Sequence, residues 1–212
     1  MIADATEDRS EYWNSYYDAC RSRRHTPSQF AVFLDGELTG PHRIIDIGCG
    51  TGRDSIYFAQ VGHDVVGVDA SEAAVRGCRA VVDEFSLCAE FVESSILSDN
   101  LAARLASDRG PTVIYARFFL HAVTEEEEAA FLRLAARLTR PGDILAVEYR
   151  TVRDSSGAKV TGTHYRRFIR PSEFQANAIK SGFDVTYAVE GFGYAKYGPD
   201  DAYVARDLLR RR

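Results

Sequence analysis

Arg43-Ile44-Ile45-Asp46-Ile47-Gly48-Cys49-Gly50-Thr51-Gly52-Arg53-Asp54-Ser55 is the stretch on which the reading of this chain turns. A β-branched run ends in glycines at alternate positions and passes into Ile56-Tyr57-Phe58-Ala59, which carries on as a helix. The glycines therefore fall at a strand-to-helix turn, where a missing side chain lets a ligand approach main-chain N–H groups. Gly67-Val68-Asp69 closes the next apolar run, and a carboxylate at that strand end can accept hydrogen bonds from both hydroxyls of a ribose. Together the two features predict a site for an adenosyl ligand.

The spacing separates two kinds of adenosyl ligand. A dinucleotide site reads Gly-x-Gly-x-x-Gly, whereas this chain reads Gly48-x-Gly50-x-Gly52, with Arg53 where the third glycine belongs. Asp46, just ahead of the glycines, is badly placed beside two phosphates and well placed for the ammonium of a methionine moiety.

Outward from this turn, short apolar runs alternate with amphipathic segments of helix length, the pattern of a parallel sheet with crossover helices. Strands are expected at 43–48, 64–69, 89–93, 111–116 and 143–149, with helices near 52–61, 71–84, 97–107 and 124–139. Ser71 is a helix-start residue, and Thr124 with Glu127 fits a capping box, so the acidic run Glu125–Glu128 compensates a helix dipole. Later, a helix begins at Pro171, strands follow at Phe183–Glu190 and Ala202–Arg206, and Arg210-Arg211-Arg212 is expected as a frayed, exposed tail. Residues 9–38 read as helical, with Tyr12, Trp13, Tyr16 and Tyr17 one turn apart and Phe30, Val32, Phe33 and Leu34 following. Those aromatics are either core packing or a lid over a ligand.

A chain of 212 residues with 45% hydrophobic content supplies one core, so a single domain over 1–212 is expected: 9–38 helical lid, 43–150 ligand-binding core, 151–212 insertions and closing strands. No run approaches the roughly 20 apolar residues of a membrane span, and the polar start does not read as a signal peptide, so a cytoplasmic protein without membrane partners is expected. Cys20, Cys49, Cys78 and Cys88 form no Cys-x-x-Cys pair and have no His at zinc-ligand spacing, which predicts reduced, buried thiols and no metal. A net charge of -5 argues against a general nucleic-acid binder. One basic stretch stands out: Arg150, Arg153, Lys159, His164, Arg166, Arg167 and Arg170 face only Asp154 within 150–170.

The Asp-x-Gly-x-Gly-x-Gly core followed by an acidic strand end resembles motifs I and II of class I S-adenosylmethionine-dependent methyltransferases, over about residues 43–150. The resemblance implies a Rossmann-like α/β fold: a mixed seven-stranded sheet, mostly parallel with an antiparallel C-terminal strand, and helices on both faces. It also implies S-adenosyl-L-methionine as cofactor and S-adenosyl-L-homocysteine as its product. By position it places Asp46, Gly48, Cys49, Gly50 and Gly52 around the methionine part, Asp69 on the ribose, and Ala70, Ser95 and Ile96 at the adenine. Ser95 stands where the family often has an Asp, which leaves the adenine contact to a hydroxyl. The Tyr12-Trp13-x-x-x-Tyr17 helix and the Gly-Cys-Gly-Thr-Gly-Arg-Asp-Ser turn are also similar to small bacterial methyltransferases of the thiopurine and tellurite type, which supports the lid.

On this fold the methyl acceptor enters above the fourth and fifth strands. Arg117 and His121 follow the fourth: Arg117 as a contact to the methionine carboxylate or an anionic acceptor, His121 as a general base or as a His bonded to backbone. The turn after this strand lacks the Asn/Asp-Pro-Pro-Tyr/Phe signature of adenine and glutamine N-methyltransferases and the Pro-Cys of cytosine C5 enzymes. No Asp-Asn pair follows the fifth strand, as catechol-type enzymes use for magnesium. Tyr17, Arg150, His164, Tyr165, Arg166, Tyr194 and Lys196 are candidate acceptor contacts, lying in the lid, the basic stretch and the loop Gly191–Gly198. The expectation is a metal-independent methyl transfer to an oxygen of a small, anionic acceptor (carboxylate, phosphate or acidic sugar). N-methylation of a small amine, methylation of RNA through the basic stretch, and an inactive cofactor-binding module stay open beside it.

Overall fold

In a computed structural model, residues 11–18, 26–154, 167–197 and 200–212 are described. The elements run α1 (11–18), α2 (Gln29–Glu37), β1 (Arg43–Ile47), α3 (Arg53–Gln60), β2 (Asp64–Asp69), α4 (Glu72–Phe85), β3 (Ala89–Glu93), α5 (Leu101–Leu105), β4 (Thr112–Arg117), α6 (Glu125–Leu138), β5 (Ile144–Arg150), α7 (Pro171–Lys180), β6 (Phe183–Gly191), β7 (Lys196–Tyr197), β8 (Asp200–Asp201) and β9 (Val204–Arg211). Short 3-10 turns follow β4 at Leu120–Ala122 and β5 at Val152–Asp154.

Seven strands form one sheet in the order β3-β2-β1-β4-β5-β9-β6. β3, β2, β1, β4 and β5 are parallel, and β9 slots between β5 and β6 antiparallel to both. Central strands are apolar because both sheet faces are covered. Alternate residues serve the two covers: Ile44, Val113, Tyr115 and Ala146 pack with Phe30 and Leu34 of α2 and Phe58 of α3. Ile45, Ile47, Ile114 and Leu145 pack on the other face, with Leu101 of α5, Phe131 of α6 and Phe174 of α7. Asp46 shares the face of Ile44, toward α3.

Helix starts follow the sequence signals. Ser71 accepts from Ala74 N–H, Pro171 is the first residue of α7, and Thr124 and Glu127 complete a reciprocal capping box. α5 is shorter than expected because Ser95–Asn100 is taken up in turns, with Ser98 N–H on the Ser95 carbonyl and Ser98 Oγ on Asn100. The terminal arginines are not a tail. β9 runs to Arg211, whose N–H donates to the Asp143 carbonyl, and Arg212 N–H donates to the Gly182 carbonyl. Leu208 and Leu209 go to opposite faces and carry the strand past its expected end.

The segment 9–38 divides into two roles. α2 is core: Phe30, Ala31 and Leu34 have no exposed surface, and Phe30 stacks on Tyr115 at 5.3 Å. α1 instead lies over the glycine turn. Cys78 is buried and Cys49 half-buried as free thiols, but Cys88 is exposed, against the expectation of a buried residue. Cys20 lies outside the described residues. Among the described residues no helix is long and apolar enough to cross a membrane.

Thr124→Ala removes the side-chain acceptor of the α6 capping box and is expected to cost about 1 kcal/mol of stability. Urea denaturation reads it as a lower midpoint at unchanged slope.

Candidate active site

Strand order reverses between β1 and β4, so the chains leaving these two strands diverge and open a crevice at their C-terminal ends. The glycine turn forms its floor. Gly48 and Cys49 both direct N–H groups at the Val68 carbonyl, 2.8 and 3.1 Å away, which ties the turn to β2. Gly50 N–H donates to Asp69 Oδ2 and Ser71 N–H to Asp69 Oδ1, each at 2.9 Å. The Ala70 N–H adds a third backbone donor to this carboxylate, whose two oxygens keep acceptor capacity beyond these bonds. Gly50 has φ 53°, and a Cβ there would lie 2.7 Å from the Tyr17 hydroxyl. That position admits only glycine.

Tyr17 projects from α1, which is held down by Asn14: its Oδ1 accepts from Ser71 Oγ at 2.6 Å and from Ala73 N–H at 3.4 Å. Burial, then the neighbouring Asp69 carboxylate, push the Tyr17 phenol well above its usual pKa. Ala70 and Ser95 are exposed at the ends of β2 and β3, and Ile96 is half-buried against the core. Ser95 Oγ accepts from Leu97 N–H at 3.2 Å.

Asp46 is 3% exposed and accepts from Ser55 Oγ at 2.6 Å. Burial raises its pKa to about 7, opposed by the Ser55 hydrogen bond and reinforced by Asp54 and Asp69, with Arg117 pulling the other way. It is a buried acid without a cation against it. Neighbouring Asp54 is also buried but well supplied: Ser28 N–H, Ser28 Oγ and Tyr115 Oη donate to it at 2.7, 2.8 and 2.8 Å.

Across the crevice, Arg117 Nε donates to Glu148 Oε1 and Arg206 Nε to Glu148 Oε2, both at 2.7 Å. Glu148 has no exposed surface, and the pair of guanidiniums compensates its burial. Arg206 also donates to the Tyr194 carbonyl at 2.6 Å and lies over the Tyr194 ring, 5.0 Å from its centroid. Phe118, with φ 58°, is a left-handed non-glycine residue directly after β4. Its ring lies 4.2 Å from the Arg117 guanidinium carbon and 5.5 Å from that of Arg150. His121 is buried in the 3-10 turn, packs edge-on to Phe118, and its Nδ1 accepts the Arg150 N–H at 3.4 Å.

The basic stretch is neutralised wherever it is described. Arg150 bonds Asp154 and Asp200 at 2.6 and 2.5 Å, Arg153 meets Glu190 at 3.0 Å, and Arg167 meets Glu128 at 2.5 Å. Arg170 pairs with Glu173 at 3.3 Å, and Lys196 with Asp201 at 3.9 Å. His164, Tyr165 and Arg166 lie outside the described residues. The structure brings Asp46, the glycines, Asp69, Tyr17 and Arg117 to one crevice, sets Tyr17 on the glycine turn, and ties Arg150 into an ion-pair cluster. Sequence reasoning did not single out Asp54, Phe118, Glu148 or Arg206. Their partners come from distant segments, and only the Arg53-Asp54 dipeptide at a helix start hinted at a charged cluster.

The "Methyltransferase domain" family matches residues 44–142, the span from the first β-strand to the end of the α6 segment. Over that span the chain carries a methyltransferase domain, on the class I, Rossmann-like fold of S-adenosylmethionine-dependent methyltransferases. Among curated relatives, a ubiquinone biosynthesis O-methyltransferase of Azorhizobium caulinodans is 29% identical over 157 residues, 68% of this chain and 59% of the relative. A glycine N-methyltransferase of Rattus norvegicus is 26% identical over 159 residues, 69% of this chain and 53% of the relative. This chain thus spans less than two thirds of either relative's length. The solved structure of an S-adenosylmethionine-dependent methyltransferase from Anabaena variabilis shares the fold at TM-score 0.71 and 18% identity, covering 100% of this chain and 96% of that one. Among the described residues of this methyltransferase no group of three or more His, Cys, Asp or Glu side chains is placed to hold a metal.

The raised pKa of Asp46 has a consequence for stability. The folded methyltransferase takes up this proton near pH 7 and the unfolded chain near about pH 4, so stability falls as pH rises between those values. Asp46→Asn, which keeps an acceptor for Ser55, is therefore expected to stabilise the ligand-free protein by on the order of 2 kcal/mol at pH 8. Thermal unfolding should show this advantage shrinking below pH 7 and vanishing near pH 4; a variant no more stable at pH 8 contradicts the assignment.

Proposed function

We propose that this chain transfers the methyl group of S-adenosylmethionine to an oxygen of a small, anionic acceptor. The observation that carries the donor half is the pairing of Asp46 with Asp69 across the glycine turn. Asp46 is a buried carboxylate in want of a cation, which the ammonium of the methionine part supplies. Asp69, held by backbone donors from Gly50, Ala70 and Ser71, retains acceptor capacity for a ribose diol. Gly48, Cys49, Gly50 and Gly52 line the methionine part, and Ala70, Ser95 and Ile96 flank the adenine. The bound donor supplies a methyl group already activated on a sulfonium, so the residues here mainly position the acceptor and exclude water. No metal enters this proposal.

The acceptor half follows from His121. Its Nδ1 lone pair is engaged by the Arg150 N–H, so the neutral ring carries its proton on Nε2 and has no lone pair for another. His121 is then a positioning residue that fixes the end of β4 against β5, and an acceptor that is already an oxyanion needs no base. A second reading, N-methylation of a small amine, draws on the glycine N-methyltransferase relative. The RNA reading loses its support, since the described cations of the basic stretch are all ion-paired.

The test is incubation of the protein with methyl-labelled donor and an extract of the source cell, followed by mass spectrometry. Label is expected in a small anionic product; label in RNA, in an amine, or in no product under conditions where the donor binds overturns the proposal. Asp69→Ala is expected to weaken binding of S-adenosylhomocysteine roughly 100-fold by calorimetry, through loss of two charge-assisted hydrogen bonds. Asp69→Asn serves as the variant that preserves the turn, and unchanged affinity in both refutes the donor site. With the labelled product in hand, His121→Gln is expected to leave the pH dependence of turnover unchanged, whereas loss of an inflection near the ordinary His range restores the general base.

A further inference from the structure

We infer that Arg53 and Arg117 together form an oxyanion subsite for the methyl acceptor, with Glu148 and Arg206 fixing Arg117 from behind. The inference rests on the methyltransferase reading and names the side chains that recognise the acceptor's charge. Arg53 is the first residue of α3 and Arg117 the last of β4, so both stand at the crevice where strand order reverses. One chain of contacts joins them. Tyr115, two positions before Arg117 on the same face of β4, donates to Asp54 at 2.8 Å, and Asp54 lies 3.6 Å from Arg53 Nε.

The donors are set up but not used. Glu148 engages only the Nε edge of Arg117, and among the described residues the Nη atoms of Arg117 meet no acceptor. Among the described residues Arg53 makes no hydrogen bond; its ion-pair contact is Asp54 at 3.6 Å, a carboxylate already holding three donors. Both side chains keep a route to solvent, with 28% of Arg53 and 16% of Arg117 exposed. A guanidinium fork held on one edge and open on the other is the arrangement that takes a carboxylate or phosphoryl group.

Charge points the same way. Arg53, Arg117 and Arg206 face two carboxylates, Asp54 and Glu148. Asp46, its proton held up to about pH 7, adds only part of a negative charge near neutral pH in the ligand-free protein. Burial, then the like charge of Arg117, lowers the pKa of Arg53, while the Asp54 carboxylate opposes the shift. A bound donor brings a sulfonium to this cationic crevice, and an acceptor anion balances it. The strut behind Arg117 runs through Glu148 on β5 to Arg206 on β9, on the side of the sheet away from β2 and Asp69.

The experiment uses the whole protein, first titrated with S-adenosylhomocysteine; absence of that binding breaks the underlying methyltransferase reading, not the subsite. The protein saturated with S-adenosylhomocysteine is then titrated by calorimetry with inorganic phosphate and with benzoate, at ionic strength held constant with chloride. Saturable binding of at least one anion is expected, weakened roughly tenfold or more in Arg53→Gln and in Arg117→Gln, with S-adenosylhomocysteine affinity changed less than about twofold. Arg117→Lys keeps the charge without the fork and should fall between, and Arg53→Gln, at a half-exposed position, reads the subsite even if the Arg117 variants fold poorly. No saturable anion binding beyond chloride overturns the proposal. So does a tenfold loss of S-adenosylhomocysteine affinity in the variants that disappears for the analogue lacking the α-carboxylate, since the pair then holds the donor's own carboxylate.

Discussion

The reversal of strand order between β1 and β4 is the constraint on which the rest of the molecule depends. Elsewhere in the parallel sheet each strand end is covered by the connection to its neighbour. At the reversal the two connections part, one to the glycine turn and α3, the other to Phe118 and the turn around His121. Polar groups collect there because no helix crosses that gap to shield apolar ones. The donor-side groups, Asp46 and Asp69, come from β1 and β2, and the acceptor-side groups from β4, β5 and β9. Chemistry at the crevice therefore inherits a division already present in the topology.

Buried acids mark this region, and each is handled differently. Glu148 is neutralised by two arginines, Asp54 is solvated by a hydroxyl pair and a backbone N–H, and Asp69 is steadied by backbone donors. Asp46 alone among them has a hydroxyl and no adjacent cation. A carboxylate in that state weakens the empty fold and strengthens the occupied one, so selection for ligand binding and selection for stability act on it in opposite directions. On the far face, Tyr149 and Gln175 serve Asp207 fully, as expected of a group with only a structural task.

The donor side was legible in the sequence because its determinants are local. Glycine spacing, Asp46 and the acid at the end of β2 all lie within one strand-turn-helix-strand unit, where spacing fixes geometry. Helix starts at Ser71, Thr124 and Pro171 were legible for the same reason. The acceptor side was not. Arg150 looked like part of a cationic patch because Asp200, its partner, arrives from a hairpin far along the chain. Arg206 meets Glu148 only because β9 inserts between β5 and β6, and no period in the sequence announces an insertion order. The terminal arginines read as a tail because charge suggests solvent, yet the backbone of Arg210 and Arg211 belongs to a strand held between β5 and β6.

The left-handed backbone at Phe118 has a consequence for the cost of recognition. A non-glycine residue at φ 58° carries strain of order 1–3 kcal/mol, which the surrounding packing must sustain. In return the Phe118 ring lies against the Arg117 guanidinium, whose Nε edge is bonded to Glu148. The long arginine side chain is thus confined to one rotamer before any ligand arrives. Its loss of conformational freedom falls on folding and not on association, so a molecule reaching the end of β4 meets a surface whose entropy has already been surrendered.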